Sequence, residues 1–166
     1  MSNSSPLLTV IIPCYNEKDA VADTVHSVLS ILNKTVDSEL IVVDDGSDDG
    51  SQDILQDLAK QLPRLKIICH EENRGYGASL KTGIRRAQGE LIAITDADGT
   101  YPNDRIPDLV DKMTDADMVV GSRTGDQVQY SSIRKIPKFF LRQYCQWITG
   151  RKIPDMNSGL RIFRKE

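Results

Sequence analysis

The chain has little with which to brace itself covalently. Its three cysteines, Cys14, Cys69 and Cys145, are an odd number, lie far apart, and form no CxxC pair or Cys/His ligand spacing. That pattern argues against a disulfide framework and a zinc site, and a reducing cytosolic setting is expected. No apolar run nears the ~20 residues that span a bilayer, and no signal peptide is read at the N-terminus. Excess positive charge is lacking too. With 21 Lys and Arg against 24 Asp and Glu, the formal net charge is −3, and the overall balance points to no nucleic-acid partner. The common phosphate motifs are missing as well. No GxGxxG follows the first apolar run, and in "GYGASLKTG" Leu80 stands where a P-loop needs glycine. Neither a dinucleotide fold nor a P-loop NTPase is supported.

What is present is an alternation of two periods. With 166 residues, 39% of them hydrophobic, the chain can build one domain with a sizeable core. "LLTVIIP" reads as a strand over Leu7 to Ile12, stopped by Pro13. Val21, Val25, Val28, Leu29 and Leu32 then fall at helical spacing. "ELIVVDDGS" gives a second strand, and Ile54, Leu55, Leu58 and Leu62 a second helix. "LKIIC" is a third strand, after which a Gly-rich loop feeds a helix with Leu80, Ile84 and Ala87 inward. "ELIAITDAD", "PNDRIPDLVDKM" and "ADMVVGSR" read as strand, helix and strand. Strands alternating with helices predict an α/β fold with a mostly parallel, doubly wound central sheet.

In such sheets ligands bind beyond the carboxyl ends of the strands. Four of those ends are polar here: "PCYNE", "DDGSDD", "TDAD" and "GSR". Four together are more than loop composition explains, and a ligand site at this edge is expected. Asp96 and Asp98 are one residue apart. If the strand continues, they face one place with Ala97 turned away. Two like charges aimed at one place call for a cation, and hard divalent cations such as Mg2+ or Mn2+ take carboxylates together with substrate phosphates. Asp44 suits hydroxyl or N–H donors such as a ribose or base edge, with Val42 beside it on the same strand face. Asp45 is read as a turn cap in "GSDDGS", and Gly75 and Gly77 as turn and helix-start geometry. His70 is read as a loop residue and His26 as part of the first helix, so no histidine base is expected at the site.

These stretches, "TVIIPCYNE", "IVVDDGSDDGS", "NRGYGASLKTGIRRAQGE", "TDADGTYP", "VVGSR" and "DMNSGLRIFRKE", resemble the inverting family 2 glycosyltransferases, above all the polyprenyl-phosphate (dolichol-phosphate mannose synthase-like) branch. The likeness runs from Thr9 to Glu166. It implies a GT-A, Rossmann-like three-layer fold, with residues 1–166 a single catalytic domain lacking a C-terminal extension. It implies a metal-dependent transfer from a GDP- or UDP-linked sugar to a polyprenyl or dolichyl phosphate. Pro13, Tyr15, Glu17, Val42 and Asp44 would contact the nucleoside, and Asp96 and Ala97 the nucleotide. Asp98, with Asp96, would hold the metal. Arg123 and Arg134 would meet the acceptor phosphate and the diphosphate. Thr100, counted with the donor-binding residues, stands where the branch often has Gln. Lys138 and Arg142 replace a Ser and an Asn of its "RKxxSxxxN" pattern, which leaves the acceptor open.

From Gln127 to Pro154 the chain has no Asp or Glu but carries Arg134, Lys135, Lys138, Arg142, Arg151 and Lys152. Tyr130, Phe139, Phe140, Tyr144 and Trp147 lie in the same window. A basic, aromatic segment in an acidic chain fits anionic headgroups and a lipid phosphate, and the full-length protein is expected to sit at a membrane surface through it or through a C-terminal region. Packing of Phe140, Tyr144 and Trp147 on the sheet is the alternative. A phosphate acceptor is already ionised near neutral pH, so cations can stand in for a general base. Two other readings stay open: a family 2 enzyme acting on a sugar hydroxyl in polysaccharide or capsule assembly, with Asp155 as candidate base, and a nucleotide-sugar-binding domain without catalysis.

Overall fold

The computed structural model describes residues 7–35, 37–122, 143–150 and 158–165. The chain divides into two units, Met1–Val120 with Gly159–Glu166, and Gly121–Ser158.

The first unit is built on six strands: β1 (Leu8–Cys14), β2 (Ser38–Asp44), β3 (Leu65–Cys69), β4 (Leu91–Ile94), β5 (Met118–Val120) and β6 (Arg161–Arg164). Their order is β3-β2-β1-β4-β6-β5. β1 to β4 run parallel, and β6 lies antiparallel to both β4 and β5. The helices are α1 (Val21–Thr35), α2 (Ser51–Gln61), α3 (Tyr76–Arg86) and α4 (Ile106–Asp111).

Side-chain alternation along β1 accounts for the three layers. Leu8, Val10 and Ile12 pack on one face with Val21, Val25 and Leu32 of α1, Leu55 of α2 and Ile106 of α4. Ile11 points to the other face, where Leu80, Ile84 and Ala87 carried by and following α3 meet it. All seven β1 residues are buried, as a central parallel strand covered on both faces requires. Each fully buried aliphatic side chain there contributes about 1.5–3 kcal/mol. α3 comes so close to β1 that a Cβ on Gly83 would stand 2.6 Å from Ile11 Cγ2, which explains a glycine in mid-helix.

The sheet departs from expectation in three places. Pro13 does not stop β1, which runs to Cys14. The carbonyl of Ile11 accepts the Thr95 N–H and that of Cys14 accepts the Asp45 N–H, so odd positions face β4 and even ones β2. Pro13 therefore turns its missing N–H toward β4, beyond the last β1–β4 pair at Ile11 and Ile94. Proline costs no ladder bond there, and the two strands part at this point. Second, "RIFR" is a strand, β6, filling the sheet between β4 and β5 with Ile162 fully buried. Third, the "PNDRIPDLVDKM" helix is a six-residue α4 flanked by 3-10 turns over Asn103–Arg105 and Lys112–Asp115.

In the second unit a helix spans 143–149 and ends at Gly150, whose φ is 64°. Its Tyr144, Trp147 and Ile148 are exposed, and the Tyr144 and Trp147 rings lie 6.3 Å apart. Among the described residues no helix is long and apolar enough to cross a membrane.

Candidate functional site

Strand order reverses at β1, with β2 and β3 to one side and β4 to the other. The parting of β1 and β4 beyond Pro13 opens a cleft at this switch point, the place where open α/β sheets take ligands. Its volume is about 350 Å3, and Pro13, Cys14, Tyr15, Glu17, Asp45, Asn73, Gly75, Tyr76, Ser79, Asp96, Ala97 and Asp98 line it.

Two loops are clamped to form the floor. After β1 the chain turns at Asn16, whose φ of 56° is a left-handed conformation that Asn tolerates. Three successive backbone N–H groups then donate into the β2–α2 loop. Asn16 donates to Ser47 Oγ at 3.0 Å, Glu17 to Ser51 Oγ at 3.0 Å and Lys18 to Asp49 Oδ2 at 2.9 Å. In return Asp48 N–H donates to Asn16 Oδ1 at 3.0 Å. "SDDGS" is thus the mould that shapes "YNEK".

Of the two adjacent carboxylates at the end of β2, it is Asp44 and not Asp45 that caps the turn. Asp44 is fully enclosed and caps the turn, accepting the Ser47 hydroxyl at 2.5 Å and its N–H at 3.3 Å. Asp45, expected as the turn cap, instead reaches the loop before α3, where it accepts Gly75 N–H at 2.7 Å and Arg74 N–H at 3.1 Å. Its Oδ1 also lies 2.6 Å from His70 Nδ1. The reason is position: Asp45 stands past the last β2 pair, where its side chain can cross to the neighbouring strand's loop. Burial raises the Asp45 carboxyl, but bonds from His70, Arg74 and Gly75 outweigh it and hold the pKa below the usual range.

Asp96 and Asp98 do converge on the cleft, but not through an extended strand. β4 ends at Ile94 and residues 97 and 98 form a turn, with Ala97 turned inward and buried. The Thr24 hydroxyl fixes that turn by donating to the Ala97 carbonyl at 2.9 Å. Asp98 is exposed, and its Oδ1 accepts Thr100 N–H at 3.0 Å and Oγ1–H at 2.7 Å. Asp96 Oδ1 takes the Tyr76 hydroxyl at 3.3 Å. Partial burial, then the Asp96 charge, pushes the Tyr76 pKa up to about 12, so this hydroxyl stays a donor at neutral pH.

Like charge accumulates here. Glu17 is raised above its usual value, first by burial and then by Asp98, Asp49 and Asp96. The Cys14 thiol is pushed up to about 12 by burial, then by Asp44 and Glu17, so Cys14 is no thiolate nucleophile at neutral pH. Among the described residues no three His, Cys, Asp or Glu side chains make a ready metal cage. A hard divalent ion bound with a substrate diphosphate needs only one or two carboxylates.

Of the residues singled out in sequence, Pro13, Tyr15, Glu17, Asp96, Ala97 and Asp98 line the cleft. Thr100 serves Asp98, and Val42 and Asp44 are wholly buried outside the lining. Arg123, Arg134 and Asp155 lie outside the described residues, as do the basic positions of the 127–154 segment. Sequence reasoning missed Asn73, Tyr76 and Ser79. Their signal was present in the loop after "LKIIC", which leaves the same sheet edge as the other three.

The sequence model of glycosyl transferase family 2 matches residues 9–166. The undecaprenyl-phosphate 4-deoxy-4-formamido-L-arabinose transferase of Photorhabdus laumondii is 35% identical over 161 residues, covering 95% of this chain and 49% of that protein. The Bacillus subtilis glycosyltransferase TuaG, named for teichuronic acid biosynthesis, is 38% identical over 106 residues, 64% of this chain and 41% of its own. The mannosyltransferase PcManGT of Pyrobaculum calidifontis, solved with GDP-Man and Mn2+, superposes with a TM-score of 0.64 at 26% identity, covering 98% of this chain and 45% of that one. The chain therefore spans about half the length of these relatives or less. The chain belongs to glycosyl transferase family 2 and has the GT-A fold.

Proposed function

We propose that this chain, residues 1–166, is a single catalytic domain of an inverting, metal-dependent glycosyltransferase that moves a sugar from a nucleotide-sugar to a polyprenyl phosphate. The observation that carries the reading is the convergence of Glu17, Asp96 and Asp98 on the switch-point cleft between β1 and β4. Such a set of carboxylates repels a nucleoside diphosphate unless a cation lies between them. Burial, and then the charges of Asp98, Asp49 and Asp96, raise the Glu17 carboxyl, and a hard divalent ion, Mg2+ or Mn2+, would relieve that like charge. Asp98 with Asp96 would hold it, and when bound it supplies counter-charge for the departing diphosphate.

The chain's own residues do the rest. Tyr15 and Tyr76, both half-exposed in the cleft lining, would supply aromatic surface for a base to pack on. Thr100 orients Asp98, and Thr24 holds the turn that carries it. The acceptor oxygen attacks the anomeric carbon from the face opposite the nucleotide, forming the new C–O bond as the old one breaks. Arg134, aided by Arg123, would hold an ionised acceptor phosphate. The name of the Photorhabdus relative favours a lipid-phosphate acceptor for this chain, and that of TuaG favours the second reading, transfer to a polysaccharide hydroxyl.

The test uses the full-length protein. UDP- and GDP-sugars should raise its Tm only with Mn2+ or Mg2+, and Asp98→Asn should abolish that rise. Arg134→Ala should cut transfer to polyprenyl phosphate about ten- to a hundredfold, as for a lost charge-assisted bond, with donor binding kept. Donor binding that EDTA leaves unchanged refutes the metal. Transfer to a sugar hydroxyl and none to polyprenyl phosphate refutes the acceptor.

A further inference from the structure

One wall of the cleft is a loop without regular structure. It carries Asn73 and Gly75 and delivers Tyr76 to the start of α3. Such a segment should wander, yet two features hold it. Gly46, at φ 73° in the β2–α2 turn, lies so close that a Cβ would stand 2.6 Å from Glu72 C and 2.8 Å from Asn73 N. Behind the loop, Asp45 accepts both the Arg74 and the Gly75 N–H groups.

That carboxylate is itself braced. His70, one residue past β3, has an almost wholly buried side chain and puts Nδ1 2.6 Å from Asp45 Oδ1. An ionised carboxylate only accepts, so Nδ1 carries the proton. On the far side Nε2 lies 2.9 Å from the Thr82 hydroxyl on α3. The His70 N–H donates to the Asp44 carbonyl, which fixes the imidazole's base to β2. A line of contacts thus runs from Thr82 through His70 and Asp45 to the loop amides, and on through Tyr76 to Asp96. A buried imidazole held at both nitrogens has one orientation, and it transmits that orientation to the carboxylate.

Building on the donor-site reading above, we infer that His70 is a positioning residue for donor binding, acting through Asp45 to fix the 73–76 loop as a wall of the cleft. His70 stands behind the cleft, outside its lining. Its effect therefore falls on ground-state binding rather than on the bond-making step.

In the full-length protein His70→Ala should raise donor KM about tenfold, the worth of one hydrogen bond to a charged group, with kcat within about twofold. Amide exchange at Arg74 and Gly75 should quicken by a similar factor relative to β1. His70→Asn, whose amide can donate to Asp45 in place of Nδ1, should recover most of the donor affinity. Should His70→Ala not fold, Thr82→Val reads the same brace from its outer end, with a smaller rise in KM. Unchanged donor KM and unchanged exchange overturn the inference, as does a loss confined to kcat. A wild-type protein that binds no nucleotide-sugar sinks the donor-site reading and this inference with it. Wild type that binds, alongside a His70→Ala that binds equally well, sinks this inference alone.

Discussion

Gly159 offers a sharp test of how the Asp96 carboxylate is seated. A Cβ built there would lie 2.6 Å from Asp96 Oδ2, 3.0 Å from Asp96 Cγ and 2.9 Å from Tyr101 Cε2. The Gly159 N–H donates to the Tyr101 hydroxyl at 2.6 Å, and Tyr101 is 7% exposed, so neither backbone nor ring can retreat cheaply. The carboxylate is the movable party. Gly159→Ala should therefore turn Asp96 away from its place beside Tyr76, raising donor KM about tenfold if one charged hydrogen bond is lost. The residual overlap with the Tyr101 ring should cost about 1–3 kcal/mol of stability. At about 4 °C per kcal/mol for a unit of this size, that lowers Tm by roughly 4–12 °C. Thermal melts and donor titration on one preparation separate the two effects. Tyr101→Phe is the control, leaving the Gly159 N–H unsatisfied at about 1–3 kcal/mol but adding no bulk beside Asp96, so stability falls with donor KM nearly unchanged. Gly159→Ala with wild-type Tm and wild-type donor KM would refute the reasoning outright.

Two further outcomes follow from carboxylates of opposite kind. Glu17 has a folded pKa above its unfolded value, so its ionised form weakens the fold once pH exceeds the ordinary carboxylate range. Glu17→Gln should raise the metal-free Tm at pH 7 while raising donor KM, and a lowered Tm would contradict the like-charge account. Glu39 is the reverse. Burial raises its pKa, but bonds from Lys66 Nζ, Gln88 N–H and Thr9 Oγ1 overcome this and depress it. Its contribution is complete above the unfolded pKa, about 4.3, and is lost as pH falls through the depressed folded value. Glu39→Gln should lower Tm at pH 7 and flatten the acid limb below about pH 4 in thermal melts. A limb of unchanged steepness would remove Glu39 from that role.

How much of this was legible in sequence depends on the range of the interaction. α1 was read residue by residue, because Val21, Val25, Val28, Leu29 and Leu32 must share a face whatever they pack on, and all five are buried. β1, β2 and β4 were read because strands covered on both faces are nearly continuous apolar runs, and the edge strand β3 from its short apolar run bounded by breaks. β6 was not. Its four residues begin and end with arginine, and only pairing with β4 and β5, both remote in sequence, makes a strand of them. α4 starts late for a local reason, Pro107 at its second position, whose missing N–H leaves a 3-10 turn rather than α-helix before it, and the spacing of Ile106 and Leu109 concealed this.

The site divides along the same line. That Asp96 and Asp98 share a cleft was foreseen on the assumption of an extended chain, yet a turn produces it, pinned from α1 by Thr24. That Asp44 caps the turn while Asp45 crosses to the next loop was hidden for a related reason. Adjacent, identical side chains differ only in which way the strand end points them, and that direction is set by pairing with β1 and β3. Asp44 falls inside both ladders and is confined to its own turn; Asp45 falls one residue beyond them and is free to cross. The crossing links β2 and the chain after β3 to the start of α3 behind one wall of the cleft, through a residue whose identity alone gave no hint of it. Chemistry at this sheet edge was therefore readable from residue type, and the bracing that aims it was not, because bracing depends on register.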